Sequence, residues 1–341
     1  MIYYIKNMAY GANSTDFRKL VIDRLYITVY TVYIDRGDRR IIMALFNCDK
    51  LTKKLGKYKL NDISFMLEPG EILGVIGING AGKTTLIRSI LGSYRIDMTE
   101  EDGGSLILDG ADQMKNMSEY KSGLAYVLQD TPFSMNMRPW EIGERYGFFY
   151  NGFDNKKYKD LLKKYGIDVK KSMSELSKGQ QLRVQIAFAE CYPAKLYVMD
   201  EPTGNLDVDF RDNFYDKIRG FVETEKSSVI ISSHLVTELE HLVDKILWIG
   251  RNDSEGFVRY FGGIDELKDS YRLLSVDKNA AADIPSGLIA GSKAGDYHSE
   301  YLLYSEDGRF EDKMSVEMCG ELRFPDIQEI MYYVEKESEL K

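Results

Sequence analysis

The sequence predicts an α/β fold, and three observations carry that prediction. Short apolar runs of strand length alternate with helix-periodic segments along most of the chain, the pattern of a sheet flanked by helices. A glycine-rich loop, Gly77-Ile78-Asn79-Gly80-Ala81-Gly82-Lys83-Thr84, lies between an apolar run and a helix-like one. Two further runs, Leu196–Met199 and Val229–Ile231, are apolar throughout, as strands buried on both faces are. A chain of 341 residues exceeds one average domain, so one large domain with a smaller companion is expected.

Taken in order, residues 1–42 stand apart: they hold six tyrosines and a mildly basic balance. They show neither a capping signal nor a clear apolar period, so this extension is expected to be dispensable, with Met43 a natural start. The competing reading makes Tyr26–Tyr33 a strand that adds to a sheet edge. From Met43 an alternating stretch leads to a strand at Asn61–Met66, a Pro69-Gly70 turn and an apolar strand at Ile72–Ile76. The glycine loop then opens a helix from about Thr84 to Leu91, and Ser105–Leu108 and Leu124–Leu128 read as strands. Residues 135–192 are largely helical, with Tyr158, Leu161, Leu162 and Tyr165 on one apolar face. A final core strand, Ile246–Ile249, precedes an acidic, tyrosine-containing accessory segment over 265–341.

Composition narrows the function. Forty-five basic against 54 acidic residues give a net charge of −9, which argues against a dedicated nucleic-acid binder. Cys48, Cys191 and Cys319 lack metal or redox spacing, and His234, His241 and His298 are scattered, so neither a zinc site nor a disulfide framework is expected. No apolar stretch reaches the ~18 residues that span a bilayer. A membrane role would need spanning helices from other chains.

Chemistry concentrates in a few motifs. The glycine loop matches GxxxxGK[ST], in which glycines let backbone N–H groups cradle phosphate oxygens. The following helix offers its positive N-terminus, Lys83 reaches the β and γ phosphates, and Thr84 suits Mg²⁺. The strand Leu196–Met199 ends in Asp200-Glu201, a carboxylate pair suited to a Mg²⁺-bound water and to a water-activating base respectively. Leu176-Ser177-Lys178-Gly179-Gln180 opens a helix-periodic run and, taken alone, is a serine N-cap worth ~1 kcal/mol. Gly204-Asn205-Leu206-Asp207 follows the carboxylates, and Ser232-Ser233-His234 closes a buried strand.

In this order the motifs resemble the ATP-binding cassette (ABC) ATPases, from about Met43 to Gly263. The resemblance implies a P-loop core over 43–264 with a helical subdomain, an antiparallel β subdomain and a small C-terminal α+β appendage. It implies that Gly77, Asn79, Gly80, Ala81, Gly82, Lys83, Thr84 and Thr85 hold ATP, with Thr84, Gln129 and Asp200 at Mg²⁺. Gln129 would sense the γ-phosphate, Glu201 would polarise water, and His234 would contact the γ-phosphate. Ser177, Gly179 and Gln180 would complete the site of the opposite subunit in a head-to-tail dimer, homo- or heteromeric, and Asp207 would tie the two sites together. Two departures stand out. Lys178 replaces the usual second signature glycine, and the adenine-stacking aromatic falls near Leu55, with Tyr58 either its substitute or an ordinary edge-strand tyrosine.

Lys178 and the closing Ile327–Tyr333 segment are similar to bacterial exporters of the bacitracin, lantibiotic and multidrug class. The chain is thus expected to be a cytoplasmic subunit, peripheral on the inner face of the cell membrane, that powers transmembrane permease subunits on separate chains. An importer is the alternative direction, and a soluble non-transport ABC ATPase the alternative class. Against the latter, one phosphate loop is present, and the interval from Lys83 to Leu176 has no room for a long coiled coil. A kinase or GTPase would have no use for LSKGQ, and the guanine-reading NKxD is absent. A non-hydrolysing regulator would lack Glu201 or His234.

Overall fold

The structure is a computed structural model that describes residues 31–34, 41–97, 104–204, 206–223, 227–234, 236–277, 284–310 and 320–339. Strands β1 (Thr31–Ile34) and β2 (Ile41–Ala44) pair antiparallel as a two-stranded ribbon. The tail of the candidate strand Tyr26–Tyr33 therefore falls in β1, while the rest of residues 1–42 outside these strands lies outside the described residues.

The core sheet contains β3 (Phe46–Leu55), β4 (Tyr58–Leu67), β5 (Ile72–Ile76), β6 (Ser105–Leu108), β7 (Ala111–Asp112), β8 (Leu124–Val127), β9 (Leu196–Asp200), β10 (Ser228–Ser232), β11 (Lys245–Arg251) and β12 (Glu255–Gly263). These ten strands form one sheet in the order β7-β6-β3-β4-β12-β11-β5-β10-β9-β8. Every residue of β5, β9 and β10 is buried, the outcome expected of strands covered on both faces. From β11 to β8 each neighbouring pair runs parallel, so five strands end on one edge. The loops after β5, β8, β9 and β10 leave from that edge, outside the carboxyl ends of the strands, where open α/β sheets bind ligands. The other half is the antiparallel β subdomain: β3 pairs with β4 and β6, and β6 with β7. The two halves meet where β12 pairs antiparallel with β11 and, at Glu255 and Gly256, parallel with β4.

Helices α1 (Lys83–Ile90), α2 (Met117–Ser122), α3 (Pro139–Tyr146), α4 (Asn155–Lys164), α5 (Lys178–Ala189), α6 (Val208–Glu223) and α7 (Val236–Leu239) complete the core. The expected helical region is built from α3, α4 and α5. Tyr158, Leu161, Leu162 and Tyr165 are buried as one face of α4 and its C-cap, beside an aromatic cluster of Phe133, Tyr150, Phe153, Phe188 and Tyr192.

After α8 (Ile264–Asp269), strands β13 (Tyr271–Asp277), β14 (Ile289–Ala294), β15 (His298–Tyr304) and β16 (Gly320–Arg323) form an antiparallel sheet in the order β14-β15-β13-β16, followed by α9 (Ile327–Glu339). This is the α+β appendage, and it shares the core's apolar interior. Leu273, Leu302, Ile327 and Ile330 belong to the same buried cluster as Ile246 and Trp248. Trp248 Nε1 donates to Glu335 Oε1 of α9 at 3.0 Å, and the N–H of Ile327 donates to Glu240 Oε1, just after α7, at 2.6 Å. Each bond satisfies a polar group that burial would otherwise leave costly.

Candidate functional site

The phosphate loop joins β5 to α1. Gly77 and Gly82 have φ of 151° and 103°, values that side chains disfavour. A Cβ at Gly77 would lie 2.5 Å from the Ile249 carbonyl oxygen, and one at Gly82 would lie 2.9 Å from Leu60 Cδ1. Glycine is therefore required twice over, by backbone angle and by space. Helix α1 starts on Gly82 with no side-chain cap, leaving its first N–H groups and the positive end of its dipole for an anion. Lys83 is buried at 7% exposure, and its Nζ donates to the Gly77 carbonyl at 2.7 Å. Burial pulls the Lys83 ammonium below its usual pKa range, while the carboxylates of Glu201 and Asp200 offset part of that pull.

Those carboxylates arrive from the neighbouring strands. Asp200 ends β9, Ser232 ends β10, and the parallel register makes them partners. Ser232 Oγ donates to Asp200 Oδ1 at 2.7 Å, and the Thr84 side chain also hydrogen-bonds Asp200. Burial pushes the Asp200 carboxyl above its usual range, the two hydroxyls work against that, and the charge of Glu201 adds to it. Glu201 sits in left-handed backbone with φ 48°, a conformation that costs a non-glycine residue ~1–3 kcal/mol. Its N–H is held by Ser232, to the hydroxyl at 3.1 Å and the carbonyl at 3.2 Å. The bend sends consecutive carboxylates apart. Asp200 goes to Thr84, and Glu201 places Oε2 3.3 Å from Nδ1 of the half-exposed His234.

Thus Lys83, Thr84, Asp200, Glu201 and His234 converge on the edge where β5, β9 and β10 end. Thr84 and Asp200 supply hard oxygen donors in direct contact. Among the described residues no group of three or more His, Cys, Asp or Glu could hold a metal ion. One carboxylate and one hydroxyl suit Mg²⁺, which keeps waters and takes phosphate oxygens as further ligands.

The remaining candidates lie around this centre. Gln129 is exposed in the loop after β8. Ser177 is the N-cap of α5, its hydroxyl accepting from the Gln180 N–H at 3.2 Å while Gln180 Oε1 accepts from the Ser177 N–H at 3.1 Å. This capping box leaves Ser177 exposed at a helix N-terminus. Asp207 caps α6 through the Phe210 N–H at 3.0 Å and pairs with Arg183 of α5; the Phe210 bond, with Arg183 adding to it, holds its carboxyl below the usual range. Among the described residues the hydrogen bonds of Ser177, Gln180 and Asp207 run within α5 and α6, none to the phosphate loop. Tyr58 opens β4, donates its hydroxyl to the Ala81 carbonyl at 2.6 Å, and has the Arg251 guanidinium 5.7 Å from its ring centroid.

Three residues at this edge escaped the sequence reading. Ser232 was visible only as part of Ser232-Ser233-His234, and its bond to Asp200 depends on strand register. Arg251 ends β11, and its Nη1 donates to the Asn79 carbonyl at 3.4 Å, a contact no local pattern announces. Gln185 is buried at 2% exposure within α5; its one sequence signal is an amide in the otherwise apolar run Val184–Ala189.

Known proteins similar to this chain share one family. The family model for ABC transporters matches residues 60–204. The chain is 30% identical over 240 residues to the ABC transporter ATP-binding protein NatA of Bacillus subtilis, covering 68% of this chain and 93% of that protein. It is 30% identical to the Nod factor export ATP-binding protein I of Rhizobium etli, covering 68% and 73%, and 31% identical to the fructose import ATP-binding protein FruK of Bifidobacterium longum, covering 66% and 44%. Among solved structures, a dimeric ATP-binding cassette in a post-hydrolysis state with ADP and Pi aligns with a TM-score of 0.55 at 19% identity, covering 64% of this chain and 98% of that one. The chain belongs to the ABC transporter ATP-binding proteins and is an ATPase subunit of a transporter.

Proposed function

We propose that the chain hydrolyses Mg²⁺-bound ATP at a site completed by a second nucleotide-binding subunit, and so powers separate membrane-spanning subunits of an exporter. One observation carries the reading: a buried, hydroxyl-bridged Asp200 and a turned-out Glu201 paired with His234 lie beside an uncapped helix N-terminus and its lysine. The loop from Gly77 to Thr85 would bind the phosphates, with Lys83 the cationic partner of the β and γ groups. Thr84, Asp200 and Gln129 would hold Mg²⁺, which when bound would supply charge neutralisation on the phosphate oxygens. Glu201 accepts a proton from the attacking water as its oxygen bonds to the γ-phosphorus, while the bond to the bridging oxygen breaks and ADP leaves. His234, held by Glu201, donates toward the transferred phosphoryl group.

Ser177, Gly179 and Gln180 stand on an exposed helix N-terminus, suited to the γ-phosphate of a facing subunit, homo- or heteromeric. Asp207 would couple the two sites and Tyr58 would meet the adenine. The subunit would sit on the cytoplasmic face, with its spanning partners on other chains; no described helix is long and apolar enough to cross a membrane. Export is the direction we favour, on the likeness of Lys178 and Ile327–Tyr333 to exporter ATPases; an importer is the alternative direction. No nucleic-acid partner is proposed. The test is purification of the tagged chain from detergent-solubilised native membranes. A multi-helix membrane protein should co-purify and couple its transport to ATP; recovery of the chain without such a protein would overturn the reading.

A further inference from the structure

Gln185 makes two hydrogen bonds to one backbone residue. Its Oε1 accepts from the Leu128 N–H at 2.9 Å, and its Nε2 donates to the Leu128 carbonyl at 3.0 Å. Leu128 lies one residue past β8, where the ladder to β9 stops at the Val127–Met199 pair. The side chain thus takes over from the sheet at the point where Gln129 begins. On the other side of Gln129, Asp130 pairs with Lys178 Nζ at 3.4 Å. Lys178 and Gln185 are seven positions apart, two turns on one face of α5. Between them Gln181, buried at 5% exposure, donates to the carbonyls of Met173 at 2.8 Å and Leu176 at 3.1 Å, securing the approach to Ser177.

We infer that Gln185 is a positioning residue, supported at the surface by Lys178, that locks the loop bearing Gln129 to the helix bearing Ser177. The two segments would then move as one body, so that placing Ser177 against a facing nucleotide also places Gln129 against its own. The buried bidentate amide carries the lock, since an exposed ion pair contributes little. The same arrangement gives Lys178, at the position of the usual second signature glycine, a structural partner. The inference rests on the proposed role of Gln129 at the γ-phosphate.

Steady-state ATPase kinetics of the full chain test it in a two-by-two cycle of Gln185→Met and Gln129→Ala, with thermal melts to establish folding. Gln185→Met should lower kcat ~10-fold with KM for ATP changed less than ~2-fold, and in the Gln129→Ala background the same change should cost less than ~2-fold. Equal losses in both backgrounds, or an unchanged kcat, would overturn the inference, because an amide that only satisfies a strand end is indifferent to Gln129. Should Gln185→Met fail to fold, Gln185→Asn, which keeps the amide but withdraws it by one methylene from Leu128, decides: a loss in kcat that vanishes without Gln129 supports the lock, and a loss that persists, or none at all, refutes it. An unchanged kcat in Gln129→Ala alone would refute the role of Gln129 and the inference with it.

Discussion

Replacing Ser232 with alanine tests the carboxylate site at its least obvious point. The hydroxyl donates 2.7 Å to the Oδ1 of Asp200, a carboxylate only 5% exposed, and accepts from the N–H of Glu201. The Glu201 N–H keeps the Ser232 carbonyl at 3.2 Å, so the loss falls mainly on Asp200. A hydrogen bond to a charged acceptor is worth ~1.5–3 kcal/mol, which shifts the balance toward the protonated carboxyl by ~10- to 100-fold. The sign follows from burial. Asp200 is already held above its usual range, so the folded state binds its proton more tightly than the unfolded state does, and stability falls as pH rises through the folded pKa. Ser232→Ala should steepen that fall: it melts lower than wild type at neutral pH, with the gap narrowing in acid below the usual carboxylate range. On the proposed assignment activity has the opposite dependence, because the ionised form of Asp200 is the one that would hold Mg²⁺. The assay is kcat/KM against pH, which reports the free enzyme. The acid limb should move to higher pH in Ser232→Ala. Superimposable acid limbs, with the variant folded, would refute the claim that this hydroxyl sustains the Asp200 charge.

Ser177→Arg and Lys83→Ala should each abolish turnover, the second by weakening nucleotide binding itself; mixing them should restore activity through dimers that pair one intact signature with one intact phosphate loop. Mixtures no more active than either variant alone would count against a head-to-tail site. Glu335→Leu strips the acceptor from the buried Trp248 indole and the 3.6 Å partner from Arg259, and should lower unfolding stability by ~1–3 kcal/mol in urea titration. An unchanged midpoint and slope would mean that α9 contributes nothing at that contact.

The parts of this molecule that sequence revealed are those whose chemistry is local. The phosphate loop must be glycine where φ is positive and space is absent, so Gly77 and Gly82 print the motif directly. Strands β5, β9 and β10 declare themselves because burial on both faces leaves no polar position within the runs Ile72–Ile76, Leu196–Met199 and Val229–Ile231, and their observed bounds lie within one residue of those expected. What stayed hidden is what register and packing create. Nothing near Ser232 foretells Asp200, 32 positions away, until β9 and β10 align. Gln185 meets Leu128 across 57 positions, and Arg251 meets Asn79 across 172. From its own residues the accessory segment was legible as acidic and tyrosine-containing, and its α+β class came with the family resemblance; its sheet depends on pairings such as Leu273 with Leu302, made only after the chain has turned back on itself. Tyr58 was visible as an aromatic, but its hydroxyl bond beneath the phosphate loop was not.

The most direct measurement for the hydrolytic site is ATP binding and turnover of Glu201→Gln, side by side. Glutamine preserves the shape of a side chain whose Oε2 stands 3.3 Å from His234, and removes its negative charge and with it the proposed capacity to take a proton from water. Nucleotide affinity should stay within ~2-fold of wild type, turnover should fall ~10²- to 10⁴-fold, and an ATP-bound dimer should persist in sedimentation. Near-normal turnover in Glu201→Gln would remove Glu201 from the base role.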